Sequence, residues 1–169
     1  LLQDRIDLAV HSLKDLPTEP VPGLCLAAVP SRAPVDDVLV CREADSLEAL
    51  AEGAAVGTGS LRRRTQLLYV RRDLDFCGIR GNVETRLAKV ENGEYDAVVL
   101  ARAGLERLEL ADRISCVLPF DAVLPAVGQG ALGIECRGDD HPTREVLGRL
   151  TDRATEASVL AERAMLAAL

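Results

Sequence analysis

At 169 residues the chain can hold one ordinary domain or two small ones around a real hydrophobic core. A net charge of −7 with two Tyr, two Phe and no Trp argues against a general nucleic-acid binder, which needs a basic surface and aromatic platforms. Five cysteines without a Cys-x-x-Cys pair, and only His11 and His141, argue against a metal site, and no apolar stretch is long enough to span a membrane.

The first apolar run, residues 6–10, predicts a short buried strand that leaves into a polar loop, His-Ser-Leu-Lys-Asp-Leu-Pro, at 11–17. Pro20, Pro22 and Gly23 extend that turn before a second strand at 24–29. Residues 30–36 predict a hinge, 37–41 a strand, and Ser46 opens a short capped helix. From Ala55 the alternation is regular: strand 55–57, helix 60–71, strand 74–79, helix 83–91, strand 95–100 and helix 103–108. A weak strand at 116–118, a strand at 131–136 and helices at 141–150 and from Thr151 onward complete the chain. Strands alternating with helices of this length imply βαβ units and a parallel sheet. The last helix carries an apolar stripe at Ala154, Ala157, Leu160 or Ala161, Ala164 or Met165, and Ala168, for which the residues after it supply no partner.

Two strand-to-helix turns stand out. Each passes through glycine, ends in a capping residue (Ser60, Asn82) and opens a helix with arginines at its start, so that Arg62, Arg63, Arg80 and Arg86 crowd the carboxyl edge of the sheet. Cations at a helix N-terminus oppose its positive partial charge, and local rules broken this way mark functional sites. The expected ligand is a small molecule bearing several carboxylates or phosphates. Arg64, Arg71, Arg72, Lys89 and Glu91 are expected on solvated faces, and the cysteines reduced and buried.

Six stretches in order then resemble one family. They are residues 11–17, Gly-Thr-Gly-Ser-Leu-Arg-Arg at 57–63, Arg-Gly-Asn-Val-Glu-Thr-Arg-Leu at 80–87, Asn-Gly-Glu-Tyr-Asp-Ala at 92–97, Ala-Gly-Leu-Glu-Arg-Leu at 103–108 and Leu-Pro-Ala-Val-Gly-Gln-Gly-Ala at 124–131. The chain resembles the porphobilinogen deaminases (hydroxymethylbilane synthases). The resemblance implies a tetrapyrrole-pathway transferase that joins four porphobilinogens head to tail with release of ammonia. It implies an α/β fold with two lobes of type II periplasmic-binding-protein-like architecture and parallel-rich sheets. Domain 1 would comprise 1–30 and 127–150, domain 2 residues 31–126, and 151–169 the opening helix of a third domain.

By the same resemblance Asp15 is the catalytic carboxylate. Loss of ammonia leaves a cationic azafulvene, which a fixed anion beside the pyrrole nitrogens stabilises. Ser12, Lys14, Thr58, Ser60, Arg62, Arg63, Arg80 and Arg86 match cofactor- and substrate-binding positions, with Arg107, Gln129 and Asp36 as weaker carry-overs. A dipyrromethane cofactor is implied, held covalently by a cysteine of the third domain. None of the five cysteines here sits in the family's Glu-Gly-Gly-Cys context, so the chain reads as a fragment, without the opening of domain 1 and inactive by itself. The whole enzyme is expected to be cytoplasmic and monomeric, without nucleic-acid or membrane partners. The hinge departs from the usual acidic-Pro-Arg-Asp pattern, reading Ala33-Pro34-Val35-Asp36, and Gly59 replaces a common Ser. Two rivals are a non-catalytic anion-binding module of the same two-lobed kind and a phosphoribosyl-transferring enzyme of similar fold. A carboxylate at Asp15 favours the cation-stabilising enzyme over both.

Overall fold

Eight strands and five α-helices alternate along residues 1–169 of the computed structural model. The first half holds β1 (Leu8–Ser12), β2 (Leu24–Ala28), β3 (Asp37–Cys41), β4 (Ala55–Gly57), α1 (Leu61–Val70), β5 (Asp75–Cys77) and α2 (Val83–Glu91). The second holds β6 (Ala97–Ala101), α3 (Arg102–Arg107), β7 (Cys116–Val117), β8 (Leu132–Arg137), α4 (His141–Gly148) and α5 (Arg153–Ala167). Two compact units result: Leu1–Ala33 with Ala126–Leu169, and Pro34–Pro125.

The Pro34–Pro125 unit is built on a five-stranded sheet of order β5-β4-β6-β3-β7. β4 runs parallel to both β5 and β6, whereas β3 is antiparallel to β6 and β7. Successive residues of a strand face opposite sides of its sheet. Accordingly, Leu39 and Val99 join Leu67 of α1 in one core, while Val38, Val40, Val98 and Leu100 join Leu87, Val90 and Leu105 of α2 and α3 in another. With both faces covered, the strands read as unbroken apolar runs. Burying each Val or Leu contributes about 1.5–3 kcal/mol.

The other unit is antiparallel throughout, in order β1-β8-β2, so the parallel pairings all lie in Pro34–Pro125. β1 sits two residues later than its apolar run suggests. His11 and Ser12, expected in the loop, pair with Gly133 and Leu132 at the strand's end, because ladder bonds to β8 outweigh their polarity. α5 also finds a partner: Val159 packs with Leu13, Val29 and Ala131, and the Asp152 N–H donates to the Val29 carbonyl at 2.9 Å. That contact is made off the expected stripe, whose Ala154, Ala157, Leu160, Ala164 and Ala168 are all exposed, as are Met165 and Leu166.

The helix expected from Ser46 does not form. Ser46 Oγ does accept from the Ala49 N–H at 3.1 Å, as a cap would. The Arg71 guanidinium, however, takes the carbonyls of Leu47 and Leu50 at 2.6 and 2.9 Å, and Leu47 and Leu50 turn into the core. A helix would need those carbonyls for its own ladder. No helix of the chain is long and apolar enough to cross a membrane.

Candidate functional site

The two arginine-bearing turns leave the carboxyl ends of the parallel strands β4 and β5, the edge where ligands bind in open α/β sheets. At the first, the Thr58 N–H donates to the Cys77 carbonyl at 2.9 Å, and buried Thr58 Oγ1 accepts from the Ser60 N–H at 3.2 Å. Ser60 Oγ in turn caps α1 by accepting from the Arg63 N–H at 3.4 Å. At the second, Asn82 Oδ1 accepts from the Thr85 N–H at 2.8 Å and caps α2. Gly81, at φ 113°, lets the chain turn there: a Cβ would lie 2.7 Å from Thr85 Cγ2.

Arg62 and Arg63 are engaged by a residue that composition and resemblance did not single out. Asp37, first in β3, has a fully buried carboxylate. Its Oδ1 accepts from Arg63 Nε at 3.1 Å and Nη2 at 2.6 Å, and its Oδ2 from Arg62 Nη2 at 2.8 Å. Arg63 Nη1 donates to the Val99 carbonyl at 3.1 Å, and Arg62 Nη1 to that of Leu124. Arg63 is buried, with 8% of its side chain exposed, whereas Arg62 keeps 25%. Burial alone would raise the Asp37 carboxyl, but the hydrogen bond and charge of Arg63, then those of Arg62, hold it below its ordinary value. An acidic residue heading an otherwise apolar strand was the signal available for it.

Arg80 and Arg86 belong to a different environment. With Lys89, Gly59, Gly78, Ile79 and Gly81 they line a cavity of about 720 Å³ that has no acidic residue in its wall. Arg86 Nε donates to the Gly81 carbonyl at 2.9 Å, and burial followed by the nearby Arg63 charge lowers its guanidinium from the ordinary value. Arg80 is exposed. Lys89, expected to face solvent, lies one helical turn beyond Arg86 and shares this wall; that i, i+3 spacing could have revealed it. Its Nζ is 3.4 Å from Glu94 Oε2 and 5.9 Å from the centre of the Tyr95 ring. A second cavity in this unit, about 550 Å³, mixes Arg42 with Glu43, Asp45, Glu52 and Asp96, a lining that repels anions. The cationic cavity is the one suited to carboxylates.

The remaining predicted residues are dispersed. Asp36 Oδ2 pairs with Arg102 at 3.8 Å, and Arg107 is exposed in the last turn of α3. In the other unit, Asp15 closes a 3-10 turn after β1, its carboxylate exposed, with Ser12 and Lys14 half-buried before it. Gln129 is fully buried, and its backbone carbonyl accepts from Arg32 Nε at 2.9 Å. Arg32 also forks onto Glu162 of α5, Nη2 to Oε2 at 2.9 Å, so that this unit's linker end is tied to its last helix.

The fold resembles solved two-lobed binding proteins. These include the VFT2 domain of Bordetella pertussis BvgS (TM-score 0.53, 15% identity, 97% of this chain and 69% of that one). A protein described as a methionine-binding lipoprotein from Bacillus subtilis matches with TM-score 0.52 and 16% identity over 80% of this chain, which spans 64% of that one. A periplasmic substrate-binding protein of an ABC transporter from Coxiella burnetii matches with TM-score 0.51 and 11% identity, over 83% and 67%. At such identities the likeness establishes a fold, an α/β architecture of the type II periplasmic-binding kind. The sequence is more specific. Residues 1–145 match the model of the family described as porphobilinogen deaminase, dipyromethane cofactor binding domain. With a match over most of its length and cation-bearing turns at the sheet's carboxyl edge, the chain belongs to the porphobilinogen deaminase family, a family of tetrapyrrole-forming transferases.

Proposed function

We propose that the protein is a hydroxymethylbilane synthase, condensing four porphobilinogens head to tail with release of ammonia. The observation that carries this reading is the cavity walled by Arg80, Arg86 and Lys89 without an acidic residue, in a chain of this family. Porphobilinogen bears an acetate and a propionate, and arginine's planar fork matches a carboxylate through two parallel hydrogen bonds. A wall that brings cations but no carboxylate of its own to the cavity holds such arms in place and leaves the pyrrole carbon free to react.

Asp15 supplies the remaining chemistry. Departure of ammonia places positive charge on the pyrrole of the substrate, and an ionised carboxylate beside its N–H stabilises that charge and can take and return the nitrogen's proton. Exposure on a tight turn keeps Asp15 available to a ligand. Ser12 and Lys14 are proposed contacts to the acid arms, as are Thr58, Ser60 and Arg62 on the first turn; Arg107, Gln129 and Asp36 are kept as secondary candidates.

Dipyrromethane, when bound, would supply the nucleophilic pyrrole carbon that starts the chain, and its carboxylates suit the same cations. No cysteine here suits its attachment. All five lie within strands, β2, β3, β5, β7 and β8, and burial pushes Cys41 and Cys136 up to about 11 and raises Cys77 and Cys116 as well. A thiol raised in this way is a poor nucleophile. The intact mass of residues 1–169 should equal that of the bare polypeptide; an excess equal to a dipyrromethane would show this reading of the cysteines to be wrong.

The decisive test is Asp15→Asn in the enzyme, followed by ammonia release from porphobilinogen. Turnover should fall by about 10²- to 10⁴-fold while porphobilinogen binding persists. Near-normal release would sink the assignment of Asp15. Binding without any turnover in the wild type would favour the anion-binding module instead.

A further inference from the structure

The two arginines of the first turn are not equivalent, and Asp37 makes them so. Its Oδ1 takes two donors of Arg63, at 3.1 and 2.6 Å, and the Val99 carbonyl takes a third at 3.1 Å. That guanidinium is buried and held on three sides by its own fold. Oδ2 takes one donor of Arg62, at 2.8 Å, and the Leu124 carbonyl takes another. The Arg62 side chain retains a quarter of its surface. A guanidinium has five N–H donors in a rigid plane, so two anchors fix the plane while using only two of the donors. An arginine without anchors loses rotamer freedom on meeting a ligand; one already fixed does not.

We propose that Asp37 is a positioning residue: an internal carboxylate that holds Arg62 in the orientation in which it meets a ligand carboxylate and makes Arg63 a structural pin. The inference rests on the carboxylate-ligand reading above, but not on turnover. Asn at this position keeps one acceptor oxygen and turns a donor toward one of the two arginines, which releases Arg62 or strands Arg63. Neutralising residue 37 therefore weakens carboxylate binding through Arg62, without residue 37 touching the ligand.

The test uses propane-1,2,3-tricarboxylate, a probe with three carboxylates and no pyrrole, with its affinity measured by calorimetry at neutral pH. Asp37→Asn and Arg62→Met should each weaken it about tenfold, the scale of a charge-assisted hydrogen bond. The double variant should bind no more weakly than Arg62→Met alone, because residue 37 acts through Arg62. If Asp37→Asn does not fold with Arg63 left uncompensated, the comparison is made in an Arg63→Met background, where the same tenfold loss is expected. In the active enzyme Asp37→Asn should raise the KM for porphobilinogen about tenfold with a smaller change in kcat. A wild type that does not bind the probe, a loss that adds to that of Arg62→Met, or a lower melting temperature with unchanged affinity and KM would each overturn the proposal. Because the probe cannot react, failure here is distinguishable from failure of the condensation chemistry.

Discussion

Asp37 is 1% exposed, and a carboxylate removed from water so completely persists as an anion only if its surroundings replace the hydration it loses. Arg63 and Arg62 do so, which makes the cluster sensitive to acid. The folded carboxyl lies below its ordinary value. Its contribution to stability is therefore complete above the unfolded pKa of about 3.9 and is lost as pH falls through the lower folded value. Glu162, lowered first by its hydrogen bond to Arg32, loses its contribution in the same direction. Urea unfolding at pH 7 should show Asp37→Ala less stable by about 3–5 kcal/mol, the cost of leaving a buried partner charge uncompensated. Between pH 5 and pH 3 the wild type should lose stability more steeply than this variant; parallel curves would show that Asp37 does not titrate as described.

The turn between β5 and α2 carries the cationic cavity, and its geometry depends on two small residues. Gly81 occupies φ 113°, a region L side chains rarely adopt, and Thr85 fills the space where a Cβ would go. Asn82 holds both the N–H and the hydroxyl of Thr85, at 2.8 and 2.7 Å. Gly81→Ala should destabilise by more than about 1 kcal/mol, and Asn82→Ala by about 1 kcal/mol, in denaturant unfolding. Both should also weaken carboxylate binding, because Arg86 and Lys89 ride on the first two turns of that helix. Stability loss with unaltered affinity would place the ligand elsewhere. At this scale the sequence was informative where a signal is local. Ser60 and Asn82 cap the helices they were expected to cap, and residues 83–91 form the expected helix. It was misleading at Ser46, where a cap signal lost to a guanidinium from residue 71.

Each unit closes its own cores. Both clusters of the five-stranded sheet draw all their residues from 34–125, whereas Leu13, Val29, Ala131 and Val159 meet only when residues before 34 and after 125 are both present. Residues 34–125 expressed alone should therefore unfold cooperatively in urea and give dispersed amide resonances; residues 1–33 alone should not. The sequence by itself determined the alternation of strands and helices, the caps, the arginine-bearing turns and the family, because these depend on backbone preference, side-chain period and contiguous motifs. Only the tertiary structure decided which arginines remain for a ligand. Asp37 and Arg63 are 26 residues apart, and Arg62 and Leu124 are 62 apart. Charge pairing at hydrogen-bond distance is set by how β3, β4 and β6 lie in the sheet, which no local pattern encodes. The two turns that look alike in sequence thus differ in the folded chain: one is braced by an internal carboxylate, the other opens into a cavity walled by cations.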